Sequence, residues 1–193
     1  MSLVIGIDIG TSSTKTVLLS AKGTIISSAS TNYQLTTPHT GWVEQDANDW
    51  WQAVCNTIRQ IIQHLESNEC PFSVSDIKGI SLSGQMNGAV FVDASGNPLR
   101  SAILWLDQRA QKQCDQTNQQ VGDLLRNHAL HVLNPINTLA KVLWLRERQP
   151  EIYTEVDYVL LPKDWIRFKL TGTFQTEVTD ASVTALLNLQ TRN

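Results

Sequence analysis

The stretch LVIGIDIGTSSTKTVLL at residues 3–19 constrains the fold of this chain more than any other. It is apolar apart from Asp8 near its middle and a group of small polar residues that follows Gly10. Both halves are rich in β-branched and aliphatic residues, which predicts strands over 3–9 and 14–20 joined by the tight turn GTSS. Because a buried, unpaired carboxylate is costly, Asp8 either meets a counter-charge or lies at an exposed end of its strand.

The turn between these strands has the composition of an anion-binding site. Gly10 permits unusual backbone angles, and successive backbone N–H groups can converge on an anion. The hydroxyls of Thr11, Ser12 and Ser13 can donate further hydrogen bonds. Asp8 can hold a hydrated Mg²⁺ against the same phosphates, as phosphoryl transfer requires. The alternative is a plain β-hairpin in which Asp8 and Thr11 satisfy local backbone groups.

The rest of the chain predicts an α/β domain with a mixed sheet that opens with three antiparallel strands and is flanked by helices. A third strand is predicted over 24–32, and Asp46 and Asp49 mark the start of a helix. The apolar stripe of that helix is predicted to consist of Trp51, Val54, Ile58, Ile61 and Leu65. Further strands are predicted at 77–83, 89–92, 101–105 and 156–161, and further helices at 108–120, 121–130, 138–148 and 162–171.

Composition narrows the class of partner. The 193 residues carry 15 basic and 18 acidic side chains without a basic stripe, so neither nucleic acid nor an anionic membrane is an expected partner. No stretch approaches the length of a membrane span, and no signal peptide precedes the first strand. The cysteines, Cys55, Cys70 and Cys114, are too far apart for a zinc motif and fit a reducing compartment. The expected location is the cytoplasm.

The segment DIGTSSTK at 8–15 resembles the first phosphate motif of the actin-like ATPase superfamily, whose domains have a ribonuclease H-like fold. The resemblance implies that Asp8 holds Mg²⁺ through water and that Lys15 lies near the transferred phosphoryl group of ATP. The residues that it places along the β- and γ-phosphates are Gly10, Thr11, Ser12 and Ser13. Neither GxxxxGK[ST] nor a GxGxxG that opens a helix is present.

Further segments resemble the FGGY family of carbohydrate kinases, and most of all its xylulokinase subgroup. These segments are GWVEQDANDWW (41–51), ISLSGQMNGAVFVD (80–93), AILWLDQR (102–109), TLAKVLWL (138–145) and VLLPKDWIRFKLTGTFQTEVTDAS (159–182). Together they cover essentially the whole chain. The sugar contacts implied by the resemblance are Gln85, Met86, Asn87, Trp105, Asp107 and Arg109.

Four of these sugar-site residues also have a structural alternative. Trp105 can be a core residue, since tryptophan buries a large area wherever it lies. Asn87 can be an ordinary turn residue. Asp107 can pair with Arg109 and cap the next helix. For Lys141, on an amphipathic helix, a structural role is favoured.

Two departures from the xylulokinase pattern bear on the substrate. The subgroup usually has QMHG where this chain has Asn87 in third place, and Val183 replaces the usual glycine after D-A-[AS]. Asparagine can donate and accept hydrogen bonds, but it does not titrate and has a shorter reach than histidine. The expected substrate is therefore a ketopentose such as xylulose, or a related polyol or sugar acid.

The resemblance also implies a domain organisation. Family members have two domains with the active site between them, and the similarity ends at Asn193 inside the first. Residues 1–193 are thus expected to form an incomplete N-terminal sugar- and phosphate-binding domain. The adenine pocket and the catalytic aspartate would belong to a C-terminal domain absent from this chain, so no catalytic residue is assigned here. The chain alone is expected to be inactive and to self-associate.

Two alternatives to an ATP-dependent sugar kinase remain at this point. One is a non-catalytic module that binds a nucleotide or a sugar. The other is a ribonuclease H-type nuclease, which shares three opening strands and an aspartate on the first. A nuclease needs more carboxylates around its metal ions, and the strand that ends in SGQMNG supplies none.

Overall fold

The computed structural model describes residues 2–67, 70–129 and 132–192. Within them the chain forms two compact units, Met1–Gln34 with Asn48–Gln85 and Leu35–Ala47 with Met86–Asn193. The strands are β1 (Leu3–Ile9), β2 (Ser13–Ser20), β3 (Ile25–Asn32), β4 (Glu44–Gln45), β5 (Ile77–Gly84), β6 (Val90–Val92), β7 (Ala102–Ile103) and β8 (Tyr158–Leu160). The helices are α1 (Ala47–Leu65), α2 (Gln111–Ala129), α3 (Thr138–Arg148), α4 (Pro150–Tyr153), α5 (Pro162–Thr171) and α6 (Val178–Ala181).

The first unit contains a four-stranded mixed sheet in the order β3-β2-β1-β5. The strands β1, β2 and β3 are consecutive antiparallel neighbours, and β5 pairs with β1 in parallel. Along β1, alternate residues are buried and accessible, because successive side chains point to opposite faces of a sheet. The buried residues of β1 are Leu3, Ile5, Ile7 and Ile9. The mixed sheet opening with three antiparallel strands is confirmed.

Helix α1 belongs to the same unit and begins directly after Asp46, with Asp49 in its first turn as predicted. Its buried stripe differs from the predicted one, because Trp50 is fully buried while Trp51 is only half-buried. Thr57 is also fully buried, and its hydroxyl lies 2.7 Å from that of Thr16 on β2. A pattern built on apolar residues alone misses this polar position.

The second unit contains two small antiparallel pairs, β4 with β7 and β6 with β8. Its core includes Phe91, Ile103, Leu133, Trp144 and Leu145. The predicted strands 89–92, 101–105 and 156–161 are present in shortened form, and β4 was not predicted. The unit places β6, β7 and α3 around one apolar cluster.

In the second unit, helices α3 and α5 have the bounds predicted from the sequence. Gly172 ends α5 in the left-handed conformation, with a φ of 71°. The helices predicted at 108–120 and 121–130 form the single helix α2, which is kinked at Val121, and Leu130 lies outside the described residues. In the described part of the chain, no helix has both the length and the apolar character needed to cross a membrane.

Candidate functional site

The predicted phosphate site lies where β1 turns into β2. Asp8 is paired with Lys15 across the antiparallel ladder, and with Ser83 on the parallel strand β5. Lys15 is in turn paired with Ser30 on β3. Because partners in adjacent strands project from the same face, these four side chains form one row across the sheet. Asp8, Lys15 and Ser83 are exposed.

This row answers the question that the sequence raised about Asp8. The carboxylate lies on the open face of the sheet, while its neighbours Ile7 and Ile9 are buried on the other face. It therefore retains contact with water and carries no burial penalty. Sequence reasoning missed Ser83 and Ser30, since the strand register that brings them beside Asp8 and Lys15 is not written in any motif.

The turn between β1 and β2 is closely packed at Gly10. The Gly10 N–H donates to the Ser13 carbonyl at 3.0 Å. A Cβ on Gly10 would meet the same Ser13 oxygen at 3.0 Å and Asp8 Oδ2 at 3.8 Å. Gly10 does not have a positive φ, so the expectation of unusual backbone angles is wrong. Glycine is favoured here because a side chain would crowd the backbone oxygen of Ser13.

Gln85, predicted as a sugar contact, lies beside the turn in the first unit. Its backbone N–H donates to the Ile9 carbonyl at 2.8 Å, and its Nε2 donates to the Gly10 carbonyl at 3.4 Å. The structure therefore groups Gln85 with the predicted phosphate residues, and its contact with a sugar stays a prediction.

The chemistry of the turn fits hydrated Mg²⁺ and phosphate. Magnesium keeps several of its waters and is bound through one or two carboxylates together with substrate phosphates. In residues 2–67, 70–129 and 132–192 no three His, Cys, Asp or Glu side chains converge as a metal site. A single exposed carboxylate, Asp8, on a residue paired with Lys15 in the strand ladder, meets the requirement of a magnesium ion that is bound mainly by phosphates.

The other predicted sugar contacts belong to the second unit. Asn87 has a φ of 59°, is 2% exposed, and donates from Nδ2 to the Met86 sulfur at 3.2 Å. The hydroxyl of Thr138 donates weakly to the Asn87 carbonyl at 3.4 Å. A Cβ at Gly88 would meet Pro162 at 2.8 Å, so this turn is closely packed. Asn87 is held in a defined orientation, and asparagine tolerates its left-handed conformation.

Asp107 and Arg109 form a buried ion pair. Asp107 Oδ1 accepts from Arg109 Nε at 2.9 Å, and Oδ2 accepts from Arg109 Nη2 at 2.7 Å. Oδ2 also accepts from the Val43 N–H at 2.6 Å, and Arg109 Nη1 lies 2.6 Å from Glu44 Oε1. The pairing that the sequence offered as an alternative is therefore present. Asp107 does not cap α2, which begins four residues later. The sugar-binding role of both residues stays a prediction.

Aromatic side chains enclose Arg109. Its guanidinium carbon lies 3.8 Å from the ring centroid of Trp42 and 4.8 Å from that of Trp144. Arg109 also borders a cavity of about 430 Å³. The other residues lining it are Trp42, Lys112, Gln113, Trp144, Arg148 and Gln149. Trp105, predicted as a sugar contact, is half-buried and does not border this cavity.

Lys141 on α3 is 1% exposed and has a structural environment. Its Nζ donates to the carbonyls of Pro135, Ile136 and Asn137 at 2.9, 2.8 and 3.3 Å. Burial lowers the pKa of Lys141 to about 7, against a smaller opposing effect of the Asp107 charge. The side chain ties the loop before α3 to the helix, in agreement with the structural role favoured from the sequence.

Comparison with known proteins identifies relatives of the whole chain. Residues 3–193 match the model of the N-terminal domain of the FGGY family of carbohydrate kinases. A xylulose kinase from Staphylococcus epidermidis is 42% identical over 189 residues, which are 96% of this chain and 36% of that protein. A ligand-bound xylulose kinase from Lactobacillus acidophilus has a TM-score of 0.89 and 27% identity, covering all of this chain and 38% of the other.

A solved glycerol kinase has a backbone that is still more similar to the backbone of this chain. The glycerol kinase of Plasmodium falciparum with ADP has a TM-score of 0.93 at 26% identity, over 100% of this chain and 39% of its own. The chain thus spans less than two fifths of the length of each of these relatives.

Proposed function

Because the chain belongs to the FGGY family of carbohydrate kinases, we propose that it forms part of an enzyme that transfers the γ-phosphoryl group of ATP to a small sugar. The observation that carries this proposal is the row of Asp8, Lys15 and Ser83 beside the hairpin turn. A carboxylate for hydrated Mg²⁺ and a cation for phosphate oxygens are parts that phosphoryl transfer needs in one place. The similarity to a glycerol kinase with ADP supports the nucleotide assignment.

Different residues of the hairpin bind the Mg²⁺ and the phosphates. Asp8 holds Mg²⁺ through water, and Lys15 balances the charge on the transferred phosphoryl group. The Mg²⁺, when bound, neutralises charge on the β- and γ-phosphate oxygens. The groups that line those oxygens are the backbone and side chains of Gly10, Thr11, Ser12 and Ser13. Positioning and charge stabilisation supply most of the catalysis in this class of reaction.

The acceptor is a sugar hydroxyl. Its oxygen forms a bond to the γ-phosphorus while the bond from that phosphorus to the bridging oxygen of ADP breaks, and the hydroxyl proton passes to a base. We assign that base to a second domain outside residues 1–193, which form an N-terminal sugar- and phosphate-binding part. The sugar contacts assigned to this chain are Gln85, Met86, Asn87, Trp105, Asp107 and Arg109.

The proposed substrate is a ketopentose such as xylulose, or a related polyol or sugar acid. The name of the Staphylococcus epidermidis relative supports xylulose. Among the residues that the structure describes, Asn87 Nδ2 donates to the Met86 thioether, a weak acceptor, so its amide hydrogens are suited to a sugar oxygen. A panel of D-xylulose, D-ribulose, glycerol and gluconate separates these classes.

A coupled ADP-release assay and calorimetry test the proposal on the 193-residue chain. We expect heat on titration with Mg·ATP and with one sugar of the panel, and no ADP release above the sugar-free rate. Absence of binding to every ligand contradicts the proposal. Turnover by the chain alone contradicts the assignment of the base to another domain.

The activity of the whole enzyme needs a longer protein that carries residues 1–193 as its N-terminal part. Sugar-dependent ADP release by that protein supports the kinase. Binding of Mg·ATP without turnover for any sugar would identify a non-catalytic binding module instead.

A further inference from the structure

Tyr33 contacts the hairpin turn through both its backbone and its side chain. The residue follows β3 and is half-buried. Its N–H donates to the Ser12 carbonyl at 3.1 Å, and its hydroxyl donates to the Gly10 carbonyl at 2.6 Å. The hydroxyl also accepts a longer bond from Thr14 Oγ1 at 3.4 Å. One residue outside every motif thus holds two peptide groups of the turn that is proposed to bind phosphate, the Gly10 carbonyl through its side chain and the Ser12 carbonyl through its backbone.

The hydrogen bond from Tyr33 to the Gly10 carbonyl replaces one of the two backbone hydrogen bonds that usually close such a turn. A two-residue hairpin turn ordinarily has paired bonds between the residues that flank it. Here the Gly10 N–H donates to the Ser13 carbonyl, but in the described residues the reciprocal bond from Ser13 N–H to the Gly10 carbonyl is not formed. The Gly10 carbonyl accepts from Tyr33 and, at 3.4 Å, from Gln85 Nε2 instead. The Ser13 N–H is thereby kept out of the turn's own hydrogen bonding.

Because a peptide group is planar, fixing the direction of its carbonyl also fixes the direction of the N–H in the same peptide group. In a trans peptide the C=O and the following N–H point in opposite directions, and no cis peptide is present in the described residues. Holding the Gly10 carbonyl therefore sets the direction of the Thr11 N–H. Holding the Ser12 carbonyl sets that of the Ser13 N–H in the same way.

We propose that Tyr33 is a positioning residue for the nucleotide phosphates, which draws the Gly10 carbonyl out of the turn so that the turn's N–H groups can bind phosphate oxygens. This inference rests on the proposed function of the hairpin. It assigns a role to a residue that contacts neither the phosphates nor the sugar directly. Burial, with a smaller effect of the Asp8 charge, raises the pKa of Tyr33 to about 12, so the hydroxyl remains a donor at neutral pH.

The test compares Tyr33→Phe with the matched control Tyr153→Phe, a half-buried tyrosine of the second unit. Calorimetry measures the dissociation constants of Mg·ATP and of Mg·tripolyphosphate, which carries phosphates without a nucleoside. We expect both constants to rise roughly fivefold in Tyr33→Phe, the equivalent of one hydrogen bond, and to stay unchanged in the control. The urea midpoints of the two variants should agree, since the phenyl ring keeps its packing.

Amide hydrogen exchange by NMR gives a second readout that a general loss of stability would not produce. In Tyr33→Phe the released Gly10 carbonyl should accept the Ser13 N–H, so exchange at Ser13 slows while exchange elsewhere is unchanged or faster. If wild type binds neither phosphate ligand, the proposed function fails. If wild type binds and Tyr33→Phe binds equally well, the role of Tyr33 alone is refuted.

A measurement on the wild-type chain covers the case in which Tyr33→Phe does not fold. The Ser13 amide resonance should move when Mg·tripolyphosphate is added, because its N–H then donates to a phosphate oxygen. A Ser13 resonance that does not move during saturable binding overturns the proposal.

Discussion

The space around position 10 favours glycine. A Cβ there would meet the Ser13 carbonyl oxygen at 3.0 Å, whereas a Cβ at Gly79 on β5 meets nothing within 4 Å. We expect Gly10→Ala to lower the free energy of unfolding by about 1 kcal/mol and to weaken Mg·ATP binding. The control Gly79→Ala should leave both within about 0.5 kcal/mol. Urea unfolding and calorimetry measure the two effects, and equal behaviour of the variants would contradict a steric role.

Lys141 gives the stability of the chain a dependence on pH. Burial lowers its pKa from 10.5 to about 7, so between these values the unfolded chain binds more protons than the folded chain. The contribution of Lys141 to the free energy of unfolding therefore increases as pH rises from about 7 towards 10. The titratable groups that act on it are Asp107 and Cys114, which raise its pKa, and Arg109, which lowers it.

Urea unfolding between pH 7 and 9 measures this dependence. Lys141→Met should lose the rise in stability with pH that wild type shows, while the exposed control Lys112→Met keeps it. Parallel pH profiles for wild type and Lys141→Met would show that the lysine has an ordinary pKa in the folded chain.

At the scale of elements, one buried hydrogen bond joins α1 to the sheet. Thr57 Oγ1 donates to backbone carbonyls of its own helix and lies 2.7 Å from Thr16 Oγ1 on β2. Thr57→Val would leave the buried Thr16 hydroxyl without this partner, at a cost of about 1–3 kcal/mol. Thr16→Val with Thr57→Val should recover part of that loss, because neither hydroxyl then remains. Urea unfolding of the two single variants and the double variant tests this, and strict additivity of the losses would contradict it.

The elements also show what the sequence reveals and what it does not. The ends of α5 were predictable because Pro162 and Gly172 each have a strong local preference. The buried stripe of α1 was predicted to include Trp51, but Trp50 is the buried residue. Tertiary packing, and not the local sequence, decides which of the two adjacent tryptophans is buried. Strand β4 has two residues and forms through its pairing with β7 and a bridge from Glu44 to Thr36, which no local pattern encodes.

The candidate site also contains residues that were predictable from the sequence and residues that were not. DIGTSSTK identified the turn through composition and resemblance, and Gly10, Asp8 and Lys15 lie together as expected. Ser83 and Tyr33 reach the same place through strand register and through a long-range hydrogen bond. Such contacts depend on three-dimensional arrangement, so sequence reasoning had no signal for them.

For the molecule as a whole, the actin-like ATPase fold predicted from the sequence is the fold that its solved relatives share. Strand β5 lies at one end of the described sheet, and Ile80 on it is 49% exposed. Exposed strand edges with apolar side chains promote association. We expect self-association at high concentration by size-exclusion chromatography with light scattering, and a shift towards monomer in Ile80→Lys. A concentration-independent monomer would contradict this expectation.

We propose above that the hairpin between β1 and β2 binds the phosphates of Mg·ATP with the help of Asp8. Backbone amide NMR of the 193-residue chain during titration with Mg·ATP tests it most directly. We expect saturable shifts that are largest at residues 8–15, lost in Asp8→Asn and retained in Asp123→Asn, whose carboxylate is exposed on α2. Shifts centred elsewhere, or shifts of equal size in Asp8→Asn, would contradict it.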